Sequence, residues 1–457
     1  MTHYVETYKF LSLVGDSLIR SGASSASTTK TLLGISTAAG LTSVTVSVTM
    51  GQLIISDSRG ENQLPYTEIF EVTPAGLDIQ WRSKTEDTVQ RFLTHQISAA
   101  EGIELLEQEQ SSLHSLSWTW SMLGFGLLGI GFSQIIGATW ITALGALISS
   151  LLVSLVYSWV NFARAPGLFR FAGAGFTAVL SATVFSILTA TTDVAIIVVS
   201  SLAAYLAGIA AYAAAQDSIT GWYLSALGRL MDAIICTAGL VTGVSVGIGV
   251  SRLFAPDNLI FIKLLDAETE VSTDPIVGAA LVSLGFAISC GGRKWQLLVL
   301  AATGVAAQAT YLLITNLGLS PHAATALAAL TVGGACVLLA KPMKLTSNAI
   351  MTVSFLPLFP GVMIYQGMLG TLFSVEGALG TLGQALLITY CLSAGGTAGQ
   401  YLVSEMMWAL RRAQFKHSHP GQTFSKVMVD EYNAQDLILP VFSKPFSKVE
   451  SDGGGQR

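Results

Sequence analysis

WITALGALISSLLVSLVYSWV, residues 140 to 160, is an uninterrupted run of 21 positions without a charge, and its reading decides the fold. A hydrocarbon layer about 30 Å thick asks for about 20 apolar residues in a helix rising about 1.5 Å per residue. The run is therefore expected to span a bilayer, within 139–160. Working outward from it, further apolar runs lie near 118–137, 170–190, 194–214, 230–250, 275–291, 296–316, 320–340, 348–370 and 378–401. About ten spans follow. The composition agrees, since hydrophobic residues make up 51% of the chain and charged ones 11%, where a soluble domain carries about 25% charged residues.

The charges divide the chain. Residues 118–404 hold 9 Lys/Arg and 9 Asp/Glu, while the first 117 residues hold 7 basic and 13 acidic groups and the last 53 hold 13 charges. The chain reads as a head (1–117), a first group of five spans (118–252), a loop (253–274), a second group of five spans (275–404) and a polar tail (405–457). No basic start followed by an apolar run opens it, so the head is expected to stay in the cytoplasm. In the head, Val5, Tyr8, Leu11, Val14 and Leu18 recur at helical spacing, and a second helix is expected over 27–39. From Leu41 the period becomes two, with Val44, Val46 and Val48 alternating against Ser and Thr, which predicts strands near 42–56 and 66–73. Helices are expected over 85–97 and 99–110. This makes the head a small α+β domain.

Short cytoplasmic loops should carry the Lys and Arg. With the head inside, ten spans put Arg164, Arg170, Arg229, Arg293, Lys294, Lys341, Lys344, Arg411 and Arg412 on that side, and leave Arg252 and Lys263 outside in a loop rich in acids. The expected location is the cell (inner) membrane, with both termini cytoplasmic. The body also repeats itself: YLAGIAAY (Tyr205–Tyr212) pairs with LFPGVMIY (Leu358–Tyr365) at a spacing of 153, and AGLVTG (Ala238–Gly243) with AGGTAG (Ala394–Gly399) after a slip of three. Five spans per copy is an odd number, so successive copies would be inverted in the membrane, as in many transporters.

The chain resembles the bacterial threonine/serine exporters over most of residues 5–405. AQDSITGWYLSALGRLMDA (Ala215–Ala233) and FLPLFPGVMIYQG (Phe355–Gly367) carry the resemblance. It departs at Ala207, where the family usually has the proline of its first break. The resemblance implies proton-driven export of threonine, serine or similar small polar amino acids, with protons and membrane lipid as the other partners. Whether copies associate into a homo-oligomer is left open.

The prolines in Leu356-Pro357-Leu358-Phe359-Pro360-Gly361 each remove a backbone donor and crowd the carbonyl four residues back, which should free Val353 and Leu356. Free carbonyls in lipid must face protein or water, so this break is expected to line a cavity with Tyr365 and Gln366, the alternative being a kink filled by neighbouring helices. Asp232 is the one acid placed inside a span, and Arg229, three residues earlier, shares its face. An acid at depth suits proton coupling, although an interfacial pair with Arg229 is an equal reading. Asp217, placed in the preceding loop, would gate the solute or simply be solvated.

Other chemistries are weaker. The four cysteines, at 236, 290, 336 and 391, all lie in apolar segments without CxxC spacing, so neither a metal site nor a disulfide is expected, and no cofactor. GVSVG (243–247) and GFGLLG (124–129) match enzyme patterns but lie in apolar helices, where small residues serve helix packing. The competing function is a membrane-embedded hydrolase acting on peptides or lipids. It lacks a nucleophile–base–orienter set. A channel would need charged rings or a filter motif. A net charge of −5 and the absence of a basic run give no reason to expect nucleic acid.

Overall fold

The computed structural model of the chain describes residues 2–41, 43–49, 51–58, 64–72, 77–113, 118–191, 193–254 and 275–418. The expected outer loop, 253–274, and the polar tail lie largely outside them.

The head contains α1 (Thr2–Arg20), α2 (Ser25–Ala38), β1 (Val44–Val48), β2 (Gln52–Asp57), β3 (Tyr66–Glu71), α3 (Ile79–Leu93) and α4 (Ala99–Leu113). The strands form one antiparallel sheet in the order β1-β2-β3, with Val46 opposite Ile55 and Leu53 opposite Phe70. Alternation places Val44, Val46 and Val48 inward. They share a core with Phe10, Leu11, Val14 and Leu18 of α1. Asp57 anchors the sheet to α1 by accepting the hydroxyl of Tyr8. The α3 helix begins six residues before the expected 85, because the Asp78 carboxylate accepts the Trp81 N–H and caps it there. At α4, Ser98 and Glu101 cap each other reciprocally.

The body contains α5 (Trp118–Ile136), α6 (Trp140–Phe162), α7 (Gly167–Thr189), α8 (Val194–Leu202), α9 (Gly208–Ile219), α10 (Tyr223–Ser251), α11 (Pro275–Ser289), α12 (Lys294–Asn316), α13 (Pro321–Met343), α14 (Ser347–Ser354), α15 (Gly361–Leu372) and α16 (Ala378–Ser418). Among the described residues, seven of these are long and apolar enough to cross a membrane, and nine spans result when α8–α9 and α14–α15 are each counted as one bent span. The remaining expected span, α11, has 15 helical residues.

The two halves repeat almost residue for residue. The 23-residue α6 and α7 recur as the 23-residue α12 and α13, 154 positions later. The left-handed residue closing α7, Ala190 at φ 55°, recurs as Lys344 at φ 51°. From there the offset is 153: α8 and α9 begin at Val194 and Gly208, α14 and α15 at Ser347 and Gly361.

Small residues let the long helices touch backbone to backbone. A Cβ on Gly124 would lie 2.5 Å from the Gly285 carbonyl oxygen, and one on Gly131 2.8 Å from that of Gly278, so α5 and α11 run antiparallel. In the first half Gly243 sits on the Ala172 carbonyl and Gly247 on that of Phe176. In the second half Gly395 sits on Ala326 and Gly399 on Leu330. Packing therefore equates Gly243 with Gly395 and Gly247 with Gly399, one helical turn from the register that AGLVTG and AGGTAG give by their letters.

Candidate functional site: two broken helices that cross

Both fourth-position spans break in the same way. After α8 comes a 3₁₀ turn, Ala203–Tyr205, then extended Leu206 (φ −66°, ψ 147°), then Ala207 (φ −68°, ψ 5°) leading into α9. After α14 comes the 3₁₀ turn Leu356–Leu358, then Phe359 (φ −66°, ψ 130°) and Pro360 (φ −79°, ψ 31°) leading into α15. The bends are 45° and 49°. Ala207 thus makes without a proline the turn that Pro360 makes with one. The departure from the family pattern leaves the break intact, because the dihedrals needed there are open to any L-residue.

The two breaks meet. A Cβ on Gly208 would stand 3.4 Å from the Gly361 Cα, and one on Gly361 3.4 Å from the Gly208 amide nitrogen. Leu206 and Phe359, equivalent in the repeat, flank the contact from opposite sides. One turn into each helix stands a tyrosine, Tyr212 and Tyr365, both fully buried, with a hydroxyl that has no hydrogen-bond partner among the described residues. Tyr212 reaches into the other half, its ring 5.2 Å from that of Phe359 and 6.0 Å from that of Phe355. Gln366 is half-buried beside Tyr365, and Pro357 and Pro360 are buried in the break itself.

The expected free carbonyls are engaged by protein. The Val353 oxygen accepts the Ser283 hydroxyl at 3.3 Å, and the Leu356 oxygen accepts the Phe359 N–H at 3.3 Å. At the first break the Cys236 thiol donates to the Tyr205 carbonyl. These three carbonyls have protein partners, and among the buried side-chain groups at the crossing the hydroxyls of Tyr212 and Tyr365 have none among the described residues.

The acidic residues are arranged differently from expectation. Asp217 lies within α9, not in a loop, and is 1% exposed. It accepts the Arg229 guanidinium at 2.9 Å and the Ser225 hydroxyl at 2.7 Å. Arg229 is therefore the partner of Asp217, twelve residues before it, and not of Asp232. A carboxylate out of water requires such a charged donor set, and α10, beginning at Tyr223 rather than at 230, supplies both groups from its first turns. Asp232 has no ion pair among the described residues, and it stands in an outward stretch with Leu230, Met231, Ile234 and Ile235. Arg170 and Arg229 are the cations that act on it.

The head docks on this end of the body. Ser25 donates to Ser225 at 2.8 Å, Arg229 donates to the Ala23 carbonyl at 3.2 Å, and the Ile79 N–H reaches the Cys290 carbonyl at 2.8 Å. Against the second half, Asp87 pairs with Lys344 at 2.8 Å, and Glu86, itself paired with the buried Arg82, faces Thr346 at the start of α14. Desolvation pushes the Glu86 carboxyl above the usual carboxylate range, against the pull of Arg82.

Sequence reasoning missed a third group. Gln216 and Gln400 both donate to Asn348 Oδ1, at 3.2 and 2.8 Å, and Gln400 also donates to Ser347 at 3.0 Å. The signal was available in Ser393, Thr397, Gln400 and Ser404, a polar stripe at helical spacing inside an apolar span. Among the described residues, no three His, Cys, Asp or Glu side chains gather as metal ligands do.

A mainly helical, multi-pass membrane protein built of two like halves, with a small sheet-containing head, is the class that this architecture defines. Residues 9–251 match a family model described as "Putative threonine/serine exporter", and residues 275–401 match a second model described as "Threonine/Serine exporter, ThrE". The chain belongs to the threonine/serine exporter family. It is 25% identical over 437 residues to the "Threonine/serine exporter" of Corynebacterium glutamicum, covering 93% of this chain and 86% of that one. It is likewise 25% identical over 426 residues to the "Probable threonine/serine exporter" of Mycobacterium tuberculosis, covering 89% and 79%. No solved structure matches the chain. The hydrolase reading gains no support from these relatives.

Proposed function

We propose that the chain exports threonine, serine or a similarly small polar amino acid across the cell membrane, driven by the proton gradient. Its ten spans would form two inverted five-helix repeats, with the head and the tail in the cytoplasm. The observation that carries this reading is the meeting of two like breaks at Gly208 and Gly361. Discontinuous helices that cross at the repeat interface are where secondary transporters hold their solutes, because helix starts offer uncommitted N–H groups and positive dipole ends. The antiparallel packing of α5 on α11 is what inversion of the second half requires. The head contacts described above fall at the helix ends that carry Arg229, Arg293, Lys294, Lys341 and Lys344, as a cytoplasmic head requires.

The solute would pass the crossing between Tyr212 and Tyr365, with Pro357, Pro360, Gly361 and Gln366 forming one wall. Asp217 and Arg229 brace the head-side approach. Asp232, unpaired and exposed near Arg170, is the proton carrier in this reading. The test is threonine flux from proteoliposomes with and without an imposed pH gradient, for wild type and Asp232→Asn. Gradient-driven accumulation should be lost in Asp232→Asn while exchange between equal compartments survives. Flux indifferent to the gradient in wild type would reject proton drive. Cysteines placed singly at Asn258 and Ser418 should label from opposite sides, and labelling of both from outside would reject the topology.

A further inference from the structure

The two halves are alike in backbone and unlike in polarity on the two sides of the crossing. At the spacing of 153, Gln216 corresponds to Leu369, Asp217 to Gly370, Ser347 to Val194 and Asn348 to Ala195. At the packing register that equates Gly247 with Gly399, Gln400 corresponds to Ile248 and Thr397 to Ser245. On the head side these positions hold amides and hydroxyls joined across α9, α14 and α16. On the far side Leu369, Val194, Ala195 and Ile248 are all buried in the apolar core, and Ser245 spends its hydroxyl on the Val241 carbonyl of its own helix.

Amides inside a membrane bundle are expensive and are kept where they bind something or hold helices together. Here the network is not self-sufficient. The hydroxyls of Thr397 and Ser404, 7% and 6% exposed and one turn either side of Gln400, have no partner among the described residues. Asn348 Oδ1 already takes two donors, which leaves its own NH₂ to donate elsewhere, and the side chain is half-buried rather than closed off.

We propose that Gln216, Ser347, Asn348, Thr397 and Gln400 form a loading site on the head side of the crossing, which takes the zwitterionic carboxylate and ammonium of a small amino acid, and that the far side is its apolar seal. Amide NH₂ groups donate to the carboxylate, while amide and hydroxyl oxygens accept from the ammonium. With no full charge among these five residues, the site matches a solute of zero net charge and disfavours one with an ionised side chain. The two approaches are thereby unequal: at these equivalent positions a polar solute is met by amides and hydroxyls from the head side and by Leu369, Val194, Ala195 and Ile248 from the other. The inference rests on the amino-acid export reading above.

The test measures KM for L-threonine from each face of oriented proteoliposomes, for wild type, Asn348→Leu, Gln400→Met and Thr397→Val. The first two variants should raise the head-side KM about tenfold or more, the equivalent of about 1.4 kcal/mol of binding, and leave the far-side KM within about twofold. Thr397→Val removes an orphaned hydroxyl at constant shape, so the protein without solute should melt no lower than wild type while its head-side KM rises about threefold, within what one neutral hydrogen bond is worth. An unchanged head-side KM in all three, or an equal rise on both faces, would overturn the loading site. Wild type that moves no threonine would instead overturn the export reading itself.

Discussion

Gly208 and Gly361 hold the same place in the two halves and lie against each other, each with a backbone atom of the other 3.4 Å from where its Cβ would be. A methyl group on Gly361 would also fall 2.9 Å from the Leu206 Cβ, an atom that moves only with its backbone. Gly361→Ala should therefore push the halves apart at their crossing and reduce threonine flux severalfold, with protein still recovered from the membrane. Pro360→Ala should do much less, because Ala207 already makes the equivalent turn. Flux assays on the two purified variants at matched yield separate these outcomes; equal losses would show that the proline itself is required.

Gly243 and Gly399 seat α10 on α7 and α16 on α13 with backbone in contact. Alanine at either position inserts a methyl onto a carbonyl oxygen, an overpacking that costs about 1–3 kcal/mol. The melting temperature of the detergent-solubilised protein should fall in both variants. Gly249→Ala, where nothing lies within 4 Å of the added atom, should not lower it.

Arg229 and Asp217 form an ion pair in which the carboxylate is 1% exposed and the guanidinium side chain 21%. Removing the cation alone leaves a buried charge without compensation, which costs about 3–5 kcal/mol. Arg229→Met should thus melt far below wild type, and adding Asp217→Asn should recover part of the loss. A double variant no better than Arg229→Met would show that Arg229 acts mainly through its bond to Ala23.

Glu86 gives the head a pH dependence of defined sign. Its ordinary value is 4.5 and burial raises it in the folded protein, against the pull of Arg82 and the hydrogen bonds of Thr346, so the folded state binds this proton more tightly than the unfolded chain. This contribution to folding stability should be fully present below pH 4.5 and be lost as pH rises through the raised value. Hydrogen exchange of α3 amides across that range should show slower opening at the acid end, and Glu86→Gln should flatten the trend.

Much of this architecture was open to sequence reading because it rests on long-range averages. The spans near 139–160 and 320–340 need only an unbroken apolar run, and the strand at Val44–Val48 only its alternation. What escaped depends on single contacts. The α3 helix starts at Ile79 because one aspartate caps it, and Asp217 draws Arg229 from Asp232 because α10 begins seven residues before the apolar run does. The break at Ala207 has no proline to mark it, and only the match of Tyr205–Tyr212 to Leu358–Tyr365 at a spacing of 153 points to it. The kink at Pro357–Pro360 was legible, but which groups satisfied its carbonyls was not, since Ser283 lies seventy residues before Val353. The amide cluster of Gln216, Asn348 and Gln400 joins three helices; the polar stripe Ser393, Thr397, Gln400 and Ser404 marks one of them, but no local pattern names the partners on the other two.

The absence of a proline from the first break makes the two bends mechanically unequal. Pro360 has no amide hydrogen, so the helix on either side of it can never be joined through that residue by the usual ladder. Ala207 keeps its hydrogen and could close a continuous α8–α9 rod. One half of the molecule carries a fixed elbow, the other a joint able to straighten, and a load shared between them will be taken up first at Ala207.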